Sequence, residues 1–466
     1  MSGIAAAREQ THIRPRELLG HPAGLAVLFE TEMWERFSYY GMRALLVLYL
    51  TKYLLLPGHV ENVWGYGAIK GFFESLAGPL DVQPLSSLIY GSYTGLIYFT
   101  PLPGGWLADR VMGQKRVVVL GIVMMACGHF MMASERLLFP ALFLLIVGGG
   151  IFKPNTTGQV GSLYAAGDHR RDRAYSIFYV GTNIGSFLAP LVCGTLGEEA
   201  GWHYGFAAAG VGMLFALAIY LIGFSTLPED ELTKERVTHT ERPKLTKEDK
   251  RAVWALIFLC IPLTLWWACY EQQGNVLNLW TADNTNRGID LYFWRGEIPV
   301  TWFQSVNPFM IFAFTPFLLG LWTRQAAKGT EPPSLNKIMF GCLCQMAGYL
   351  VLASVAAYVG DTGKASWLWL PVFIGLVTIG ELYLSPISTS LYSKLAPPQI
   401  LSTMMAVNFI PNFLGGGLLQ GWLGAYWSSM PKAEFFLMIA IISGISGIIV
   451  WSFHRPLKSI LKEEAA

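Results

Sequence analysis

Apolar stretches of roughly 20 residues recur along the whole chain, each long enough to cross a hydrocarbon layer about 30 Å thick as a helix. Charged or Gly/Pro-rich breaks divide them into Ala23 to Leu56, Leu85 to Ala108, Val117 to Ala133, Leu137 to Tyr164, Ala174 to Leu196 and Phe206 to Leu227. Six more follow, at Ala252 to Val276, Val300 to Thr323, Ile338 to Tyr358, Trp367 to Tyr392, Leu401 to Trp427 and Phe435 to Phe453. Charged residues make up 14% of the chain, well below the roughly 25% of soluble domains. The prediction is an all-α integral membrane fold of 12 transmembrane helices in two six-helix bundles.

Between the two sets, Pro228 to Lys250 is too dense in Glu, Lys, Arg and Thr to enter lipid and reads as a solvated linker. The expected units are an N-terminal segment 1–22, a bundle 23–227, a linker 228–250, a second bundle 251–454 and a tail 455–466. Two related halves of this kind commonly build a site at their interface. Arg14, Arg16, Arg110, Arg116, Arg170, Arg171, the linker, Arg324, Lys394 and Arg455 fall on one side of the expected spans. Lys52, Lys70, Arg136, Arg287, Arg295, Lys364 and Lys432 fall on the other. The heavier basic side predicts that both termini and the linker are cytoplasmic. No A-x-A type cleavage site precedes the first span, so it is expected to stay in the protein.

The formal charge of +2 gives no global field for nucleic acid. All six cysteines lie within apolar stretches without disulfide or metal spacing. No Ser-His-Asp pattern or soluble catalytic domain points to an enzyme, so no catalytic residue, metal or cofactor is expected.

Charges inside the spans carry the functional signal. Glu32, Glu35, Arg36, Arg43, Lys153, Glu271 and Glu381 are all placed there, and each costs about 2.5 to 3.5 kcal/mol if it faces lipid. On a helix, Glu32, Glu35, Arg36, Tyr39, Tyr40 and Arg43 fall within an arc of roughly 140°, which predicts one polar stripe lining a cavity. Glu32, Glu35, Glu271 and Glu381 against Arg36, Arg43 and Lys153 leave one excess negative charge. A proton is the natural neutraliser, taken by Glu271 or by the Glu32/Glu35 pair. Glu30 lies on the opposite helix face, where snorkelling to water accounts for it.

Lys153 stands in Gly148-Gly-Gly-Ile-Phe-Lys-Pro-Asn155, where the glycines permit close helix approach and Pro154 frees a carbonyl. Trp267 precedes Glu271 by four positions and Ser385 follows Glu381 by four, so each pair shares a face, as packing residues or as pocket lining. Asn183 and Asn307 are uncharged, mid-span and in need of hydrogen-bond partners.

Two motifs are more specific. Gly105-Trp-Leu-Ala-Asp109-Arg110-Val-Met-Gly113-Gln-Lys115-Arg116 resembles the cytoplasmic loop motif of the major facilitator superfamily; physically, Asp109 could latch to an Arg, or the loop could simply be solvated. Glu32-Met-Trp-Glu35-Arg36-Phe-Ser-Tyr39-Tyr40-Gly41 resembles the ExxERFxYYG signature of the proton-coupled oligopeptide transporter family. Phe178-Tyr-Val-Gly-Thr182-Asn183-Ile-Gly-Ser186 resembles that family's FYxxINxGS motif, with Thr182 in place of Ile. Lys153-Pro-Asn155, Glu271-Gln-Gln-Gly274, Asn307-Pro308 and Glu381 with Ser385-Pro386 match further family elements in order, so the resemblance covers essentially the whole chain.

That resemblance implies a proton-coupled symporter of di- and tripeptides in the plasma (bacterial inner) membrane, working as a monomer by alternating access. It implies that Arg36, Tyr40 and Lys153 meet the peptide carboxylate. Asn183, Asn307 and Glu381 are implied to meet its amino end. Glu32, Glu35, Arg43 and Glu271 are expected to serve proton coupling and gating, and the resemblance pairs Arg43 with Glu271. Tyr39, Trp267, Ser385 and Asn408 are expected to line the pocket. Many bacterial members carry an extra helix pair between the halves, but 228–250 is too short for one. The span-two histidine of animal members is Gly91 here, which puts weight on Glu271, and Asn408 stands where relatives often place a pocket Trp. The alternative cargo is nitrate or another small organic anion; Lys153 and Glu381 together favour a ligand with both charges.

Overall fold

The computed structural model describes residues 17–165, 168–229, 245–291, 294–397 and 400–453. It is built of helices, with short strands confined to the ends of the molecule. In chain order the first group is α1 (Ala23–Tyr49), α2 (Tyr66–Ala77), α3 (Val82–Phe99), α4 (Pro101–Leu107), α5 (Gln114–Met131), α6 (Leu138–Ser162), α7 (Arg170–Ala189) and α8 (Trp202–Ile222). The second is α9 (Lys247–Tyr270), α10 (Val276–Asn284), α11 (Trp302–Ala327), α12 (Ser334–Val359), α13 (Trp369–Leu395), α14 (Leu401–Val407), α15 (Ile410–Phe413), α16 (Gln420–Gly424) and α17 (Lys432–Ser452).

Among the described residues, nine helical stretches are long and apolar enough to cross a membrane. The first helix falls outside that set because its own polar stripe dilutes its hydropathy. The α3–α4 and α14–α16 stretches are divided into shorter helices, at Pro101 and around Asn408 and Pro411. Large apolar side chains face outward, with Phe317 78% and Ile222 84% exposed, a surface suited to lipid rather than water.

Helix α1 packs on α7 and α8, and α5 on α6 and α8. In the second group α12 packs on α13 and α17, and α17 on α9. The two groups meet where α7 lies along α11, and where α3 lies along the π-helical turn Leu414–Leu419 and α16. At the latter seam, glycines replace side chains. A Cβ on Gly91 would stand 2.7 Å from the carbonyl oxygen of Gly417 and 2.7 Å from Cα of Gly421. A side chain at position 91 has no room in this packing.

Cross-group hydrogen bonds cluster toward the end carrying Lys52 and the hairpin of Gly288–Leu291 with Trp294–Glu297. The Glu198 carboxylate accepts from the backbone N–H groups of Val300 and Thr301, each at 2.8 Å, and from Thr301 Oγ1 at 2.7 Å. These N–H groups stand at the start of α11, where a helix leaves donors unpaired. Lys52 Nζ lies 2.7 Å from Asp283 Oδ1, and Ser87 Oγ donates to Asn275 Oδ1 at 3.0 Å.

Several boundaries differ from expectation. Helix α9 begins at Lys247, inside the expected linker, because Thr246 and Asp249 form a reciprocal capping box (Asp249 N–H to Thr246 Oγ1 at 3.0 Å, Thr246 N–H to Asp249 Oδ2 at 2.8 Å). Helix α2 and the hairpin lie between the expected spans. Between α4 and α5, Gly113 takes φ 83°, a left-handed turn that favours glycine at this motif position. Arg110 and Arg116 are exposed, and the Asp109 side chain lies outside the described residues. The described latch of this motif is Lys115, whose Nζ donates to the carbonyl of Phe224 at 3.1 Å and lies 4.8 Å from that residue's ring centre.

Candidate functional site

A cavity of ≈ 490 Å³ lies between the two helix groups, within the size range of small-molecule sites. Glu32, Arg36, Tyr40 and Arg43 of α1 reach it at spacings of four, four and three, so they share one helix face. Lys153 of α6 and Asn183 of α7 join them. From the other group come Trp267, Tyr270, Glu271, Asn307, Glu381 and Ser385.

The α1 stripe divides in two. Glu35 and Tyr39, one turn apart at the edge of the arc, line a separate space of ≈ 10 Å³ with Arg36, Tyr93, His129 and Lys153. Tyr39 therefore does not line the main cavity, contrary to expectation. Its ring sits edge-on to Tyr40 at 5.1 Å, with Arg36 Cζ 5.5 Å from its centre.

Arg36 Nε donates to Glu32 Oε1 at 2.9 Å, and Thr156 Oγ1 of α6 donates to Glu32 Oε2 at 3.3 Å. Glu35 Oε2 is 2.7 Å from the same Arg36 Nε, an ion-pair distance, yet no hydrogen-bond geometry is met and the atom has no hydrogen-bond partner. We take this contact as electrostatic attraction without a directed bond. One guanidinium thus sits between two buried carboxylates, leaving the trio one charge negative.

Arg43 crosses between the groups. Its Nη2 donates to Glu271 Oε2, its Nε donates to Tyr90 Oη at 2.8 Å, and its Cζ lies 5.8 Å from the Tyr40 ring centre. Glu271 opens the 3₁₀ turn Glu271–Gly274 that separates α9 from α10. Broken helices of this kind bring polar groups to the midplane of transporters. Gly274 closes the turn; a Cβ there would stand 2.0 Å from Tyr90 Oη and 3.1 Å from Arg43 Nε, which accounts for glycine at this position.

Glu381 is held by neutral donors. Its Oε2 accepts from Tyr270 Oη at 2.8 Å and from Asn307 Nδ2 at 3.0 Å, and Asn307 Nδ2 also reaches Thr378 Oγ1 at 2.9 Å. Lys153 Nζ lies 4.9 Å from the Tyr98 ring centre, and among the described residues it forms no ion pair. The α6 helix runs unbroken through Pro154 to Ser162, so the ammonium is presented from a continuous helix.

Asn183 Nδ2 is engaged by the carbonyl of Tyr179 at 2.9 Å while the residue lines the cavity. Asn408, expected as lining, instead donates to Thr389 Oγ1 at 3.2 Å; its neighbour Phe409 faces the cavity. Glu30 is exposed, as its helix face predicts. Sequence reasoning missed Tyr98 and Tyr270. The signal for Tyr270 was its place beside Glu271 at the end of α9, where the tightening helix lets adjacent residues both face inward.

The profile described as Major Facilitator Superfamily matches residues 55–419. The chain is 30% identical over 506 residues to the di-/tripeptide transporter of Lactococcus lactis subsp. cremoris, covering 96% of this chain and 98% of that one. It is 31% identical over 525 residues to the peptide transporter YePEPT of Yersinia enterocolitica subsp. palearctica, with 97% and 98% covered. Among solved structures it resembles the peptide transporter POT in complex with sulfate at TM-score 0.81 and 28% identity, covering 96% of this chain and 97% of that one. A POT family transporter in complex with 5-aminolevulinic acid matches at TM-score 0.79 and 27% identity, with 94% and 97% covered.

Proposed function

The chain belongs to the Major Facilitator Superfamily and, within it, to the proton-coupled oligopeptide transporter family, and from that premise we propose that it is a multi-pass membrane symporter that imports di- and tripeptides with protons. The observation that carries the reading is the pairing of Lys153, a cation without an ion-pair partner among the described residues, with Glu381, a carboxylate held by Tyr270 and Asn307, in one cavity. A short peptide is a zwitterion whose ends are fixed in chemistry whatever its side chains. One cation and one carboxylate across a cavity complement both ends at once.

In this reading Arg36, Tyr40 and Lys153 take the peptide carboxylate, and Asn183, Asn307 and Glu381 take the amino end. Trp267 and Ser385 line the space between. The Arg43–Glu271 pair gates: a proton on Glu271 removes the attraction that ties the groups together, and its departure restores it. Glu32 and Glu35 share Arg36, so protonation of either leaves the guanidinium with one carboxylate instead of two and lowers the competition that the peptide carboxylate meets there. Inward proton movement supplies about 2.3 kcal/mol per charge per 100 mV.

The architecture we infer is 12 spans in two bundles, 23–227 and 251–454, with no extra helix pair between them and both termini and the linker cytoplasmic. The polar seal then lies toward the outside, and the cavity faces in. Nothing in this scheme requires a cofactor or a second subunit. Nitrate transport, the second reading, leaves Glu381 as an uncompensated anion beside an anionic cargo.

Proteoliposome uptake of labelled dialanine with and without an inward pH gradient tests this. Accumulation above equilibrium with the gradient, competed by tripeptides but not by nitrate or free alanine, is expected. Nitrate competition without peptide uptake replaces the reading.

A further inference from the structure

The ≈ 10 Å³ space on the back of α1 is enclosed by side chains from α1, α3, α5 and α6. That volume is about one solvent sphere, the least that seats a single water molecule. Two groups against it have buried atoms without a hydrogen-bond partner, Glu35 at Oε2 and His129 at Nδ1. His129 is 2% exposed and lies on α5 among methionines and a phenylalanine. Buried polar groups in native proteins are hydrogen-bonded, to protein or to ordered water. The space that both residues line has room for about one water molecule.

We propose that this space is a built water site in which one buried water bridges the Glu35 carboxylate and the His129 imidazole, making His129 a positioning residue for the proton that Glu35 binds. The inference rests on the proton-symport reading above and adds a group that the motif does not contain. A neutral imidazole carries one donor and one acceptor nitrogen, and water carries two of each. With Glu35 ionised, the water donates to the carboxylate and accepts from the imidazole N–H. With Glu35 protonated, the carboxyl O–H donates to the water, which keeps accepting from the imidazole N–H on its other lone pair. Both states leave the bridge satisfied, and the incoming proton stays on Glu35.

The charged and titratable groups facing Glu35 are Glu32, Arg36 and Tyr39 from α1, Tyr93 from α3, His129 from α5 and Lys153 from α6. Arg36 and Lys153 line both spaces, so they form the partition between the water and the peptide cavity. A proton arriving on Glu35 is therefore registered directly by the cations that meet the peptide carboxylate.

The test compares His129→Leu and His129→Gln in proteoliposomes, reading gradient-driven uptake of labelled dialanine across pH and exchange without a gradient. Leucine removes the water's partner, so the ionised carboxylate loses a donor and is protonated more readily. Exchange is expected to stay within about twofold, while gradient-driven uptake falls at least about fivefold and its pH profile moves by at least about half a unit to the alkaline side. Glutamine keeps a hydrogen-bonding group and restores the wild-type profile. Profiles unchanged in both variants overturn the water site while leaving symport intact; wild-type protein without gradient-driven uptake overturns the symport reading itself. If the leucine variant also loses exchange, the infrared carboxyl band assigned through Glu35→Gln decides: a band moved by leucine and kept by glutamine supports the bridge, and one unmoved by leucine removes it.

Discussion

Arg43 and Glu271 form a buried ion pair that links the first helix of one group to the broken helix of the other. Tyr90 Oη accepts from the same guanidinium, a bond made independently of Glu271. A buried charge deprived of its partner is costly. In the proposed gate, the two residues separate readily only when Glu271 carries a proton.

Glu271→Gln removes that conditional tie. Gradient-driven uptake is expected to fall by at least about tenfold, equivalent to about 1.4 kcal/mol of lost coupling. Exchange of peptide for peptide across the membrane is spared. Parallel uptake and exchange measurements in liposomes distinguish this from simple inactivation, and an unaffected uphill rate removes Glu271 from the coupling step.

In the proposed site, Lys153→Ala and Glu381→Gln each remove one end of the zwitterion contact. Removing one partner of a desolvated charge contact costs about 2 to 5 kcal/mol, so dipeptide affinity is expected to drop by at least about 30-fold in either variant. The ends can be told apart by chemistry. An N-acetylated dipeptide, already lacking the ammonium, should lose further affinity in Lys153→Ala and little in Glu381→Gln, as read by competition binding.

Glu198 and Lys52 both tie the groups together at the hairpin end, but unequally. The Lys52–Asp283 pair has side chains 40% and 50% exposed, where a pair is worth about 0 to 1 kcal/mol. Asp283→Asn should leave transport and melting temperature nearly unchanged at physiological salt. Glu198→Gln gives up one of two oxygens that accept from the α11 N-terminus, and hydrogen bonds to a charged group contribute about 1.5 to 3 kcal/mol each. Labelling of a cysteine placed in the cavity, applied from the hairpin side, should rise by about tenfold or more in this variant.

Outside the spans, Asp168 is held below the ordinary carboxylate range by hydrogen bonds from Arg170, whose side chain and backbone N–H both point to it. Because the folded group titrates lower than the unfolded one, its contribution is complete above the ordinary carboxylate range. It is lost as pH falls through the lower folded value. Arg170 also reaches Glu17 and the carbonyl of Gly20, so acidification should loosen the segment before α1 together with the start of α7. Hydrogen exchange corrected for intrinsic rates should show this loss in wild type and its absence in Asp168→Asn.

The lengths and order of the apolar stretches were legible because lipid demands continuous hydrophobic runs, and the polar face of α1 because charges inside such runs stand out. Periodicity alone could not divide that face. Glu35 and Tyr39 differ from Glu32 and Arg36 by a fraction of a turn, and which neighbour each meets depends on the placement of α3, α5 and α6. Asn408 misled because its partner Thr389 belongs to a different helix. His129 was invisible for the same reason: a single histidine among apolar residues has no pattern, and its interest comes from sharing a space with Glu35. The start of α9 was readable in principle from Thr246 and Asp249, a capping signal overlooked inside a charged run.

The seam of Gly91, Gly95, Gly417 and Gly421 offers a handle on conformational populations. The backbones approach closely at these four positions, so any added methyl acts as a wedge against the closed arrangement. Overpacking of this kind costs about 1 to 3 kcal/mol, and inverting a 1:99 population takes about 5.5 kcal/mol. Two or three alanines distributed along the seam should therefore hold the transporter open toward the hairpin side without ligand, antibody or cross-link, giving access to the half of its cycle that this closed arrangement does not display.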